Sequence, residues 1–389
     1  MLSFFQSVPF AVVLGLFVSF GISVLIVLTK GWHGHHSMDS IIGVQKFHTE
    51  PTPRIGGLGI VLGLVAVSLA LWQGCCDAAE SQPLLGLLWP MLVSVLPAFV
   101  FGLKEDITKR VSVRTRMLAT MASGVLAWWL TGISLTRVDF WGVDVLLQWL
   151  PVSVLFTAFA VSGVANAVNI VDGFNGLASG VVCIALVAMG IIAWRVGDVP
   201  LAQLCLLLFL VTLGFWLVNF PWGSLFLGDG GAYALGFMLA WVAVLLPMRN
   251  PEVSVWAGLL ACSYPVLEVA FSVQRRLSRA LHPGHPDRLH LHSLIKFRIV
   301  RKALLHWPAN FRNAAVSPIL WLYASVLGLF GVVFYDNTSA LVGGLFFAAW
   351  FYRLMYRRLI GFKAMPRRAP LQKPDPGVRA QAVTTRLGD

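Results

Sequence analysis

Charge is scarce in this sequence: Asp, Glu, Lys and Arg make up 12% of its 389 residues, about half the roughly 25% of a soluble domain. The shortage runs along the whole chain, which excludes a soluble enzyme carried on one anchor. Cysteine is short as well. The five cysteines show neither metal-ligand spacing nor a disulfide framework. Cys183, Cys205 and Cys262 fall inside apolar runs, where they read as small packing residues, while Cys75 and Cys76 are adjacent between two runs. No stretch between the runs is long enough to fold as a soluble domain. No internal repeat stands out of the kind on which many transporters are built.

Apolar runs of membrane-crossing length are abundant. About 20 such residues cross the hydrocarbon core, and backbone polar groups must be satisfied internally there, so the runs read as helices. Eleven spans are expected, near 8–29, 55–73, 84–103, 117–133, 151–168, 177–194, 201–220, 232–248, 254–273, 315–334 and 339–355. The first has no basic leader and no small-residue cleavage site and reads as a retained helix. The fold expected is an all-α polytopic membrane protein, with one transmembrane domain over 1–362 and a disordered Pro- and Arg-rich tail over 363–389.

With eleven spans, the segments after odd-numbered spans share one side, and they hold 26 of the 29 Lys and Arg residues. Only Arg137, Arg195 and Arg249 fall on the other. The positive-inside rule then places the N-terminus outside and the C-terminus in the cytoplasm. Anionic lipid headgroups account for most of the net +12, and no nucleic-acid partner is needed. The outer segment Arg137–Leu150 alternates loosely and is expected as a small hairpin. A short amphipathic helix is expected near Leu294–Leu305.

Five polar segments fall on the basic side. In Gly102–Arg110, adjacent Glu105 and Asp106 among three basic residues can bind a magnesium ion, orient a phosphorylated substrate, or simply form a solvated charged loop. In Asn166–Gly176, Asn166, Asn169 and Asp172 recur at i, i+3 and i+6, roughly one helix face, with Asn175 just beyond. They suit a metal's water shell or a substrate hydroxyl, or polar packing between helices. In Phe226–Gly236, glycines surround Asp229 before a helix, which suits a metal ligand facing a phosphate, or a plain capped turn. In His285–Ser293, His290 and His292 alternate behind Asp287 and Arg288, a set better matched to phosphate than to structural zinc. In His48–Gly57, Arg54 follows two prolines and precedes two glycines, a structural turn by default. Glu268 lies inside the ninth run, where an acid is costly and usually pairs or serves a function.

Pro51–Gly57, Asn166–Gly176, Phe226–Gly236 and Asp287–His292 resemble, in order and position between spans, the signatures of the polyprenyl-phosphate N-acetylhexosamine-1-phosphate transferase family (glycosyl transferase family 4). The resemblance covers about residues 45–295. Two departures stand out: the family's paired aspartates appear as Glu105-Asp106, and its two adjacent closing histidines appear as His292-Ser293.

The resemblance implies transfer of an N-acetylated sugar-1-phosphate from a UDP-sugar to undecaprenyl phosphate, with Mg2+ (Mn2+ as an alternative), on cytoplasmic loops of the bacterial inner membrane. It implies Asp229 and Asn169 as metal ligands and Glu105, Asp106, Asp172 and Asp229 as the catalytic acids. Arg54, Asn166, Asn169, Asn175, Arg288, His290 and His292 are implied as substrate-binding residues. A homodimer is compatible with it. The competing reading is a proton-coupled secondary transporter that uses Glu268 and the histidines.

Overall fold

A computed structural model describes residues 10–39, 51–74, 78–280 and 289–361. Arg288, Cys75, Cys76 and the tail expected over 363–389 lie outside the described residues. Within them the apolar runs form helices, as their length and scarcity of charge require. The first half holds α1 (Ala11–Leu28), α2 (Lys30–Ser37), α3 (Gly57–Trp72), α4 (Ala78–Thr108), α5 (Val113–Thr131), α6 (Trp141–Leu147) and α7 (Leu150–Val171). Two dipeptide strands, β1 (Met38–Asp39) and β2 (Thr52–Pro53), pair antiparallel between α2 and α3. The second half holds α8 (Leu177–Arg195), α9 (Val199–Asn219), α10 (Gly228–Arg249), α11 (Val255–Ala261), α12 (Ser263–Leu277) and α13 (Leu291–Ile295). After a π turn over Lys296–Val300 come α14 (Arg301–Ala303), α15 (Ala309–Ala314), α16 (Ser317–Val333) and α17 (Thr338–Gly361).

Each of the eleven expected spans overlaps one or more of these helices. By length and composition, however, eight helices among the described residues can cross a membrane, or nine if a bent pair counts as one span. Two runs fall short for identifiable reasons. Helix α3 is apolar but has only 16 residues, roughly 24 Å at 1.5 Å per residue against about 30 Å of hydrocarbon. Helix α5 spends its first turn on Arg114 and Arg116.

The ninth expected span is not one straight helix. Helices α11 and α12 meet at Cys262 with a bend of 76°. Pro265 sits in the first turn of α12; it has no N–H to give the carbonyl one turn back, and its ring crowds that carbonyl. The hairpin expected over Arg137–Leu150 is also absent, because Trp141–Leu147 is helical. The Asp144 carboxylate accepts from the backbone N–H of Val138 (2.6 Å) and Phe140 (3.2 Å). The chain's donors are thus met locally and need no partner strand.

Helix α10 is the centre of the bundle: 89% of its apolar window is buried. It packs against α3, α4, α7, α8 and α11. Small residues permit this, as in membrane helix pairs generally, where packing rather than hydrophobicity joins helices. A Cβ on Gly57 would lie 2.3 Å from Gly231 Cα, and one on Gly102 would lie 2.6 Å from Gly230 Cα. The backbones of α3, α4 and α10 therefore touch directly.

A Gly57→Ala substitution is expected to destabilise the fold by about 1–3 kcal/mol, the usual cost of overpacking, because its neighbour is backbone. Gly163→Ala in α7, where a Cβ meets nothing within 4 Å, should leave stability unchanged. Thermal unfolding of both variants in detergent checks this.

Candidate active site

Three backbone hydrogen bonds clamp the Pro53–Gly57 segment to the turn before α10. Phe226 N–H donates to Pro53 O (2.8 Å), Gly56 N–H to Phe226 O (2.9 Å) and Gly57 N–H to Leu227 O (3.0 Å). Gly228 has a φ of +77°, and a Cβ there would lie 2.0 Å from Arg54 O, so only glycine fits. The clamp sets Arg54 beside the first turn of α10.

Each guanidinium nitrogen of Arg54 then meets a different carboxylate. Nε lies 2.9 Å from Asp106 Oδ1, one terminal nitrogen 2.8 Å from Asp229 Oδ1, and the other 3.3 Å from Asp39 Oδ1. Burial works against the Arg54 charge, but Asp106, Asp229 and Asp39 outweigh it and hold its pKa above the ordinary arginine value. Asp229 Oδ2 is taken by Arg116, whose guanidinium also stands over the Tyr233 ring at 6.0 Å. Arg116 and Asp39 belong to this cluster although the sequence did not single them out. Arg116 was visible only as one of five basic residues over 104–116, and its place in the first turn of α5 was the available signal.

Asp106 is buried in the last turn of α4. Its carboxylate accepts the backbone N–H of Asp229 (2.9 Å) and of Gly230 (2.8 Å). It thereby fills the amide site that a helix start offers to anions. Its neighbour Glu105 is half-buried and accepts from Val111 N–H at 2.7 Å, closing the turn into α5.

Asp172 follows α7 directly and is half-buried. Burial pushes its carboxyl up to about 7 against the pull of Arg54, with Asp229, Asp106 and Asp39 adding to the rise. Four acids thus share one end of the bundle with two arginines, and Asp172 is partly protonated near pH 7. Asn169 is half-buried one turn earlier in α7. Asn166 and Asn175 are engaged in packing. The Asn166 amide donates to Ser162 O at 2.8 Å and reaches Thr120 at 3.3 Å, in the seam between α5 and α7. The Asn175 amide donates to Pro221 O at 2.8 Å and ties the loop after Asp172 to the turn after α9.

The histidines come to the other side of that loop. His290 and His292 stack with ring centroids 5.1 Å apart and planes 9° apart. His292 packs edge-on against Phe174, centroid to centroid 5.5 Å. Burial lowers the His292 pKa to about 4, with Glu268 opposing the fall and His290 adding to it. His292 is therefore neutral near pH 7.

Among the described residues, no group of three or more His, Cys, Asp or Glu side chains could hold a metal ion. Mg2+ does not require one. It is commonly held by one or two carboxylates, waters and substrate phosphates. Asp229, Asp172 and Asn169 offer hard oxygen donors of that kind, although both Asp229 oxygens are engaged by Arg54 and Arg116.

Residues 88–247 match the model of glycosyl transferase family 4. The matched stretch includes Asp106, Arg116, Asp172 and Asp229 and leaves Arg54, Glu268, His290 and His292 outside it. The chain is similar to a probable undecaprenyl-phosphate N-acetylglucosaminyl 1-phosphate transferase of Bacillus subtilis, 27% identical over 256 residues, 64% of this chain and 66% of the relative. It is 26% identical over 296 residues to the undecaprenyl-phosphate alpha-N-acetylglucosaminyl 1-phosphate transferase of Escherichia coli K12, covering 74% of each. It is also 26% identical over 337 residues to a decaprenyl-phosphate N-acetylglucosaminephosphotransferase of Mycolicibacterium smegmatis, covering 77% of each. These relatives cover between 64% and 77% of the chain.

The His292 shift has a consequence for stability. Unfolded, the imidazole takes a proton near pH 6.5; folded, it resists until about pH 4. Between those values the unfolded chain binds more protons, so this contribution is complete above about pH 6.5 and is lost as pH falls towards 4. His292→Gln is expected to narrow the gap between melting temperatures measured at pH 7.5 and pH 4.5. An unchanged gap would assign the acid sensitivity elsewhere.

Proposed function

We propose that this protein transfers an N-acetylated sugar-1-phosphate, N-acetylglucosamine-1-phosphate or a close relative, from a UDP-sugar to undecaprenyl phosphate. UMP is released, in the first membrane step of a cell-envelope polysaccharide such as an O-antigen. The observation that carries this reading is the partly buried cluster of Asp39, Asp106, Asp172 and Asp229 around Arg54 and Arg116 at one end of a helix bundle, with a histidine pair across the loop. The names of the family relatives supply the polyprenyl-phosphate acceptor and the sugar. The basic face is assigned to the cytoplasm of the bacterial inner membrane.

The chemistry suits these residues. A lipid phosphate oxygen attacks the sugar-linked phosphorus; the bond from that phosphorus to the bridging oxygen breaks, and its electron pair leaves with UMP. A phosphate monoester is mostly ionised near neutral pH, its second pKa being about 6, so no strong general base is required. Mg2+, with Mn2+ as the alternative, supplies charge neutralisation on the diphosphate and the departing phosphate. Asp229 and Asn169 would hold it, with Asp172 beside them. Asp106 positions Asp229 through the backbone of α10, and Arg54 and Arg116 orient its carboxylate. His290, His292 and Arg288 bind the nucleotide diphosphate.

The transporter alternative draws on Glu268, a buried acid on a broken helix, as transporter sites are; against it stand the lack of an internal repeat and the gathering of the other polar motifs at one end of the bundle.

Membranes containing the protein and undecaprenyl phosphate are expected to release UMP from a UDP-N-acetylhexosamine only with a divalent cation. Asp229→Asn should lower that rate by about 100-fold or more, the scale of losing a charge-stabilising contact. Weighing the lipid product by mass spectrometry across a panel of UDP-sugars identifies the sugar. Folded protein that released no UMP from any of them would end the proposal.

A further inference from the structure

Glu268 is completely buried in the second turn of α12. A carboxylate there is costly unless its oxygens are met by donors or charge. One oxygen is well served: Oε1 accepts from His290 Nδ1 and from Leu291 N–H, each at 3.0 Å. The other, Oε2, lies 3.8 Å from His292 Nδ1 and, among the described residues, makes no hydrogen bond of ordinary geometry, though the Tyr264 and Tyr352 hydroxyls also interact with this carboxylate. Tyr264 Oη approaches the same Nδ1 at 3.5 Å. Both imidazoles thus turn their Nδ1 atoms to one carboxylate.

The two nitrogens of an imidazole point away from each other. With both Nδ1 atoms on Glu268 and the planes nearly parallel, both Nε2 atoms face away from it. Their direction is marked by Gly173, where a Cβ would stand 3.6 Å from His292 Nε2. Gly173 follows Asp172, so the nitrogens face the loop that borders the acid cluster. The bend at Cys262 makes this possible, since it swings α12, and Glu268 with it, away from the line of α11.

We infer that Glu268 is a positioning residue for nucleotide binding: it fixes His290 with its proton on Nδ1, holds His292 in register beside it, and so aims two Nε2 atoms at the diphosphate of the UDP-sugar. This rests on the transferase reading and adds to it a residue that reaches the substrate only through the histidines. Glu268 Oε1 lies 3.0 Å from His290 Nδ1, so a phosphate oxygen at Nε2 and the carboxylate at Nδ1 would hold this imidazole from both sides. His292 stays neutral and, packed against Phe174 and the His290 ring, supplies shape.

The test is a double-mutant cycle on the full-length protein with KM and kcat measured separately for the two substrates. Glu268→Gln keeps size and still accepts from Leu291 N–H but removes the charge. It is expected to raise KM for the UDP-sugar about tenfold or more, with kcat and KM for the lipid phosphate changed less than about threefold, the pattern of lost ground-state binding. Combined with His290→Gln it should be no worse than His290→Gln alone, since coupled residues do not add. Affinity for UDP itself, titrated by tryptophan fluorescence, should fall by the same factor.

Glu268→Asp, which keeps the charge but loses reach to His290, should show the same selective loss and serves if the glutamine variant does not fold. An unchanged UDP-sugar KM overturns the assignment. Equal losses for both substrates, or additivity with His290→Gln, mark a merely structural acid and overturn it too. A wild-type protein that releases no UMP from any UDP-sugar fails the transferase reading directly, and the assignment falls with it.

Discussion

The arrangement at this end of the bundle depends on the Asp106 carboxylate lying across the first turn of α10. A helix start leaves backbone N–H groups without partners and carries partial positive charge. Inside an apolar bundle that end must be matched. Asp106 accepts from Asp229 N–H and Gly230 N–H and holds Arg54 Nε. Through these three bonds α4, α10 and the Pro53–Gly57 segment share one fixed junction. Asp229, one residue into α10, inherits its position from that junction, and Arg54 and Arg116 then set the direction of its carboxylate.

The helices were legible in the sequence because apolar runs in lipid have few alternatives to the α-helix. Departures arose where a local polar group decides against the run. Pro265 breaks the ninth run at a point that hydropathy does not register, since proline among Tyr264 and Val266 leaves the run apolar. The alternation of Val138, Phe140, Val143 and Val145 imitates a strand, but Asp144 collects the N–H groups that a strand would have offered a partner.

The site was legible as a set of loops and less so as a set of roles. The glycines around Asp229 read equally well as a cradle for phosphate and as packing residues, because both demand a missing Cβ. Here the neighbours they admit are Leu103, Gly57 and Arg54, and the helix-start amides are occupied by Asp106. Asn166 and Asn175 likewise suit either a ligand or a seam between helices, and they are found in seams. Arg54 looked like an ordinary turn residue because the three acids it joins lie 15, 52 and 175 positions away in the chain. Arg116 gave no isolated signal among its basic neighbours.

The three arginines at the opposite end of the helices are each committed to internal partners. Arg137 bonds Asp139 and the carbonyls of Pro247, Pro251 and Val253; Arg249 bonds Asp198; and Arg195 bonds Val332 O. The same end carries Glu252, Asp144 and Asp336. Among the described residues, the positive charges of that end are thus neutralised where they stand, and what field leaves it is short-ranged and readily screened by salt.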